Sequence, residues 1–235
     1  MESVNSNFYN QSYYAQRHTR IDPYLEYIFS NYIIPSNTQG CLLEVGCGSG
    51  AYINYMRDKG QKIWGIDFSF EAAKISGQIN ASALSLPFSN NSFDVILSIH
   101  MIEHLNTVER DIFLAECRRV LKNKGVLFIV TPNGMSPGRF ILGKKWFPDP
   151  SHINIENPFR LSGALKKNGF IKVKSMFFLH LGEVNRTESD IVKYYGLDCV
   201  FKRIPFLQDL LFFLMFSTPL SFMRDVIYMR GELVK

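Results

Sequence analysis

Apolar positions recur along this 235-residue chain first at helical spacing and then in short strand-like runs separated by helical ones. Tyr24, Leu25, Ile28, Phe29, Tyr32 and Ile33 share one helical face and Pro35 stops the run, so residues 1–39 read as an N-terminal helical cap. The next runs are a strand over 41–45 ending in a glycine cluster, a helix over 51–59 stopped by Gly60, and a strand over 62–66 ending at Asp67. A helix over 71–77, a buried strand over 93–99 (FDVILSI), a long helix over 108–121 and a strand over 125–130 (GVLFIV) follow. Such alternation predicts an α/β fold, a parallel sheet covered by helices on both faces, with ligands bound at the carboxyl ends of its strands.

Asn106 followed by Glu109 predicts a capping box for the long helix, and Val108, Ile112, Ala115 and Leu121 fall on one stripe expected to face inward. Beyond Thr131 the pattern loosens into a Gly/Pro-rich loop of about 25 residues, a length more typical of a functional lid than of a linker. Asn157 and Pro158 signal the helix that ends the loop, and the alternation over 170–178 continues the sheet to a sixth strand. The most apolar stretch, Ile204 to Met223, is interrupted by Pro205, Gln208, Asp209 and Pro219, too short a run to cross a bilayer. It reads either as a buried helix or as a membrane-touching one.

Charge and cysteine usage narrow the function classes. Lys and Arg exceed Asp and Glu by 26 to 21, but the basic residues are scattered, so no nucleic-acid partner is expected; a loosely cationic face suits anionic lipid or phosphate-bearing ligands. The four cysteines form no C-x-x-C pair, and no carboxylate–histidine group shows ligand spacing along the chain, so no metal site is expected. The opening residues lack the apolar region of a secretory signal, which predicts a cytoplasmic protein, membrane-associated if Ile204 to Met223 touches lipid.

The chemistry concentrates at the strand ends. In LLEVGCGSG, Gly46, Gly48 and Gly50 stand where a strand turns into a helix, so that backbone can approach a ligand closely. Asp67, about 20 residues on, suits the two hydroxyls of a ribose. Gly46-x-Gly48-x-x-Ala51 with Asp67 also fits a dinucleotide fingerprint, which leaves a nicotinamide-dependent oxidoreductase as an alternative.

Four segments in order, LLEVGCGSG, GIDFS (65–69), ALSLPFSNNSFDVILSIHMIEHL (83–105) and ECRRVLKNKGVLFIVTPN (116–133), resemble class I S-adenosylmethionine-dependent methyltransferases of the type 11 kind over roughly residues 40–180. The resemblance implies a methyltransferase domain over 40–235, with a cofactor half at 40–131 and an acceptor loop and C-terminal half at 132–235. It implies a Rossmann-like sheet of seven strands whose last, sought in Asp225 to Leu233, runs against its neighbour. S-adenosylmethionine is the implied cofactor, its methionine part held by Gly46, Gly48 and Gly50 with Glu44 facing its amino group, Asp67 on the ribose and Phe68 packed on the adenine. Ser82 stands where many relatives carry an acid; its hydroxyl and the Ala83 N–H would serve the base. Ser98 and His100 end the fourth strand beside the implied methionine site and acceptor entrance, and His104 matches a histidine frequent in relatives.

Transfer to a hydroxyl calls for a group that titrates near neutrality, which makes His100, His104 and His152 the catalytic candidates. Trp146, Phe147, Pro148, His152 and Ile153 would line an acceptor pocket beyond the fifth strand, and aromatic lining suits an apolar acceptor. The expected activity is methyl transfer to a small molecule, a lipid or a lipid-linked glycan; the alternative from another class is a non-catalytic cofactor-binding module of the same fold.

Overall fold

Short apolar runs bounded by glycine, aspartate and polar residues become strands because each can be buried on both faces only inside a sheet. The computed structural model describes residues 21, 23–33, 40–136, 139, 149–175 and 226–235. In chain order these form α1 (Pro23–Ile28, continued by a wider turn over Phe29–Ile33), β1 (Cys41–Val45), α2 (Ala51–Asp58), β2 (Lys62–Asp67), α3 (Phe70–Ser76) and β3 (Ile79–Asn80). Then come β4 (Phe93–Ile99), a single turn over Ile102–His104, α4 (Thr107–Val120), β5 (Leu121–Pro132), α5 (Pro158–Lys167), β6 (Phe170–Ser175) and β7 (Val226–Leu233).

The seven strands lie in the order β3-β2-β1-β4-β5-β7-β6. The first five are parallel, and β7 runs antiparallel to both β5 and β6. The chain steps outward from β1 in one direction and returns to its other side at β4, so the crevice between the carboxyl ends of β1 and β4 is the switch point where such sheets bind ligands.

Side chains alternate cleanly between two cores. Leu43, Val45, Ile96, Leu127, Ile129, Ile227 and Met229 face α4 and α5, which contribute Phe113, Leu114, Cys117, Leu161 and Leu165. Leu42, Leu97, Ile99, Phe128 and Val130 face the other way, against Leu25, Ile28 and Phe29 of the N-terminal segment and Ile53 and Met56 of α2.

Two details depart from the expectation. The third strand is a two-residue exposed pairing at Ile79–Asn80, too short to carry any periodicity. The strand read over 170–178 forms β6 over Phe170–Ser175 as expected, and 176–178 lie outside the described residues. In α4 the capping box forms as expected, Asn106 accepting from the amides of Val108 and Glu109 while Glu109 accepts from Asn106. Its inward stripe, however, is Phe113, Leu114, Cys117 and Val120, whereas Val108 and Ile112 are 67% and 43% exposed and Ala115 is exposed. Both stripes have helical spacing; the one with the bulkier residues that runs straight into buried Leu121 of β5 wins the larger apolar burial.

Candidate active site

The β1 turn is shaped by backbone. Gly46, Gly48 and Gly50 all adopt left-handed φ, at 79°, 51° and 80°. At Gly46 an added Cβ would stand 2.5 Å from Met101 Cγ, so the loop after β4 closes directly onto the turn after β1. The Gly46 and Cys47 amides both donate to the Ile66 carbonyl, the Gly50 amide donates to the Cys47 carbonyl, and the Gly48 amide donates to Asp67 Oδ2 at 2.8 Å. Asp67 Oδ1 accepts from the Ser69 amide at 2.8 Å, so one carboxylate pins the glycine turn to the end of β2 and the start of α3. Burial raises the Asp67 carboxyl above its ordinary value; these two amides, and the charge of nearby His104, pull it back down.

Glu44 and Ser98 supply the unsatisfied groups of the crevice. Glu44, 1% exposed in the middle of β1, lies between Gly65 of β2 and Leu97 of β4, and its Oε2 has no hydrogen-bond partner. Burial, and then the Asp67 charge, push its carboxyl well above the ordinary range. Ser98, fully buried at the end of β4, has an equally unpartnered hydroxyl. A buried carboxyl without a donor is costly unless a ligand supplies one. An ammonium group fits that need, as in the methionine portion of S-adenosylmethionine. A pyrophosphate fits less well: the Gly46, Cys47, Gly48 and Gly50 amides are already engaged, and an anion beside the Asp67 carboxylate would be repelled. The chemistry of the turn therefore disfavours the dinucleotide reading.

On the adenine side, Phe68 is 61% exposed just past β2, a free aromatic face at the rim. Ser82 and Ala83 are half-buried, and the Ser82 hydroxyl accepts from the Leu84 amide at 3.1 Å, shaping the turn with one of its lone pairs. This loop is clamped to α4 by Arg119, which donates to the carbonyls of Leu86 and Phe88 at 2.8 and 2.7 Å, and by Glu116, which accepts from the Leu86 amide at 2.7 Å. Arg119 also pairs with Glu116 at 2.7 Å. The clamp explains why ECRRV and ALSLPF belong together, a link that a reading of each segment alone does not supply.

Beyond the carboxyl end of β4 the histidines converge. His100, exposed at the end of β4, holds a left-handed φ of 51° while its amide donates to the Val130 carbonyl at 2.8 Å. Glu103, fully buried and absent from the sequence-based candidates, sits among them. Its Oε1 faces His100 Nδ1 at 3.3 Å and His152 Nε2 at 3.9 Å without an aligned hydrogen bond, and Thr131 Oγ1 donates to its Oε2 at 3.0 Å. Burial alone would raise the Glu103 carboxyl; His100 beside it and the charge of His104 outweigh burial and hold it below its ordinary value. Burial also lowers the imidazole of His152. The rings of His104 and His152 lie 5.0 Å apart.

His152 arrives on the segment before α5, whose amides at Ile153 and Asn154 both donate to the Glu103 carbonyl at 3.1 Å. The same segment is anchored by fully buried Glu156, which takes Arg110 of α4 at 2.6 Å and Asn154 at 3.1 Å. Glu103, His104 and His152 offer ligand atoms within 4.8 Å of one another. Spacing along the chain does not show this group, because His152 is remote in sequence and is brought to it by the main-chain hydrogen bonds of Ile153 and Asn154. Ile153 is 51% exposed; Trp146, Phe147, Pro148 and the 204–223 stretch lie outside the described residues.

Comparison with known proteins agrees with this geometry. A family profile described as "Methyltransferase domain" matches residues 43–129. The chain is 28% identical over 155 residues to a probable S-adenosylmethionine-dependent methyltransferase of Mycobacterium tuberculosis, covering 63% of this chain and 55% of that protein. It is 31% identical over 147 residues to a ubiquinone biosynthesis O-methyltransferase of Pelagibacter ubique, covering 54% and 60%. The match thus spans little more than half the length of these relatives. A solved structure of a SAM-dependent methyltransferase from Archaeoglobus fulgidus superposes with a TM-score of 0.64 at 21% identity over 95% of this chain and all of that one, a likeness of fold.

Proposed function

We propose that the chain is a class I S-adenosylmethionine-dependent methyltransferase that transfers a methyl group from S-adenosylmethionine to a small-molecule or lipid-like acceptor, a reading that the matching methyltransferase-domain profile and the methyltransferase relatives support. The observation that carries the reading is the unpartnered, buried Glu44 carboxyl beside a glycine turn whose amides are already spoken for. When bound, the cofactor supplies an electrophilic methyl group on a sulfonium. Glu44 receives the amino group, Asp67 has lone pairs left for the ribose hydroxyls, Ser98 offers its hydroxyl to the methionine portion, and Phe68 covers the base.

Most of the rate comes from alignment and the exclusion of water, which needs no strong base. For a hydroxyl acceptor, His100 is the proton acceptor best placed, exposed at the carboxyl end of β4 with Glu103 behind it. The likeness to a ubiquinone biosynthesis O-methyltransferase supports a small-molecule acceptor. The Phe-rich composition of 204–223 supports a lipid-like one reached from a membrane surface, with peripheral contact only, because Pro205, Gln208, Asp209 and Pro219 leave too short an apolar run to cross a bilayer. Calorimetric titration of the folded chain with S-adenosylhomocysteine tests the reading. Micromolar one-to-one binding is expected, and no binding by the folded chain would overturn it.

A further inference from the structure

We propose that Glu103, His104 and His152 bind a divalent ion of the zinc type beside the methyl-transfer crevice. One ligand atom from each lies within 4.8 Å of those of the other two. Two imidazoles and one carboxylate are a ligand set suited to borderline transition metals. Three protein ligands also leave a fourth position for water or an oxygen ligand.

The hydrogen bonds around the group are those of ligands already oriented. His104 Nδ1 lies 3.1 Å from the Ser151 carbonyl and 3.0 Å from the Ser151 hydroxyl oxygen. That hydroxyl donates its proton to Asp149 Oδ1, which also accepts the Ser151 amide. Both neighbours of Nδ1 are therefore acceptors, so Nδ1 carries the proton and Nε2 carries the lone pair that a metal needs. An imidazole whose second nitrogen donates to a backbone carbonyl is the usual arrangement around a bound ion.

Glu103 is prepared in the same way. Its Oε2 accepts from Thr131, which turns Oε1 toward His152 Nε2 at 3.9 Å, and its own carbonyl holds the Ile153 and Asn154 amides that fix the position of His152. A carboxylate with no exposed surface, surrounded by imidazoles, is poorly explained by a solvated surface network and well explained by a cation. Met101, two residues before Glu103, packs on Gly46, so the ion borders the turn assigned to the cofactor. Ion binding itself does not depend on that assignment.

The test uses the untagged full chain, stripped with a chelator and titrated calorimetrically with Zn²⁺. One ion per chain is expected, with affinity at least tenfold weaker in His104→Ala and in His152→Ala. Cobalt(II) substitution in the wild-type chain gives a second readout that needs no variant: visible bands of a nitrogen and oxygen site, without thiolate charge-transfer absorption. Failure of the folded wild-type chain to bind either ion, unchanged affinity in both variants, or a thiolate spectrum would each overturn the proposal. S-adenosylhomocysteine binding by the same stripped preparation keeps the two readings apart. A chain that binds it but takes up no metal retains the methyltransferase reading and loses this one.

Discussion

The two sides of the crevice are built by different means. The side proposed for the cofactor, from Glu44 to Ala83, is made by consecutive strand ends and their turns: three left-handed glycines, one carboxylate bridging two amides, and a short loop clamped by Arg119. The side proposed for the acceptor is made by side chains drawn from distant points, Glu103 and His104 from the turn after β4, Thr131 from β5 and His152 from the segment before α5. Damage to the first should therefore reach the fold and the cofactor together. Damage to the second should leave the cofactor in place and disturb what meets the acceptor.

Arg110→Ala is the severest test of that separation. It leaves the fully buried Glu156 carboxylate with Asn154 and, at 4.0 Å, the half-exposed Arg160, which should cost about 3 kcal/mol in denaturant unfolding and loosen the segment bearing His152. S-adenosylhomocysteine affinity in the folded fraction should nevertheless stay near the wild-type value; a collapse of both together would dissolve the distinction. Gly46→Val comes next, forcing a β-branched residue into a left-handed backbone and driving its Cβ onto Met101. The combined strain and overpacking should cost about 2–5 kcal/mol, with cofactor binding lost in calorimetry.

Asp67→Asn preserves shape but leaves at most one acceptor oxygen for the Gly48 and Ser69 amides. The loss of a hydrogen bond to a charged group, about 1.5–3 kcal/mol, should appear as a drop of roughly tenfold to a hundredfold in S-adenosylhomocysteine affinity.

Glu44 sharpens the comparison through protons. Its folded pKa lies above the unfolded value, so between the two the folded chain holds the extra proton and stability falls as pH rises through that window. Glu44→Gln should flatten this slope in pH-dependent melting. If an ammonium group then binds beside Glu44 and ionises it, titrations of the wild-type chain in buffers of different ionisation enthalpy should show proton release, absent in Glu44→Gln.

The smallest effect belongs to the half-buried Arg119–Glu116 clamp. Hydrogen bonding to Arg119 holds Glu116 below its ordinary value, so the clamp's contribution is present above the unfolded pKa and lost as pH falls through the folded one. Arg119→Ala should remove this part of the acid limb, worth under about 1 kcal/mol in stability. Its clearer effect should be a weakened adenine contact, read as a raised KM for the cofactor.

How far each region could be read from the chain follows from the same contrast. The strands at 41–45, 62–67 and 93–99, the caps at Asn106 and Asn157, and the glycine turn with Asp67 depend on residues near in sequence or on adjacent parallel strands, and they stand where local patterning placed them. Spacing alone does not fix the inward face of α4, because two stripes share helical spacing and only contact with β5 and the sheet selects between them. Glu103 was overlooked because an acid beside a histidine looks like any solvated helix entry until its burial is seen.

What the amino-acid order determined by itself is the alternating α/β architecture and the glycine turn with the Asp67 carboxylate that pins it, since hydrophobic period, glycine φ and capping act over a few residues. What only the tertiary structure decided is the meeting of Glu103, His104 and His152. That meeting depends on Arg110 neutralising Glu156 and on the Glu103 carbonyl holding two amides of a segment some fifty residues away, and no local preference encodes such long-range pairing.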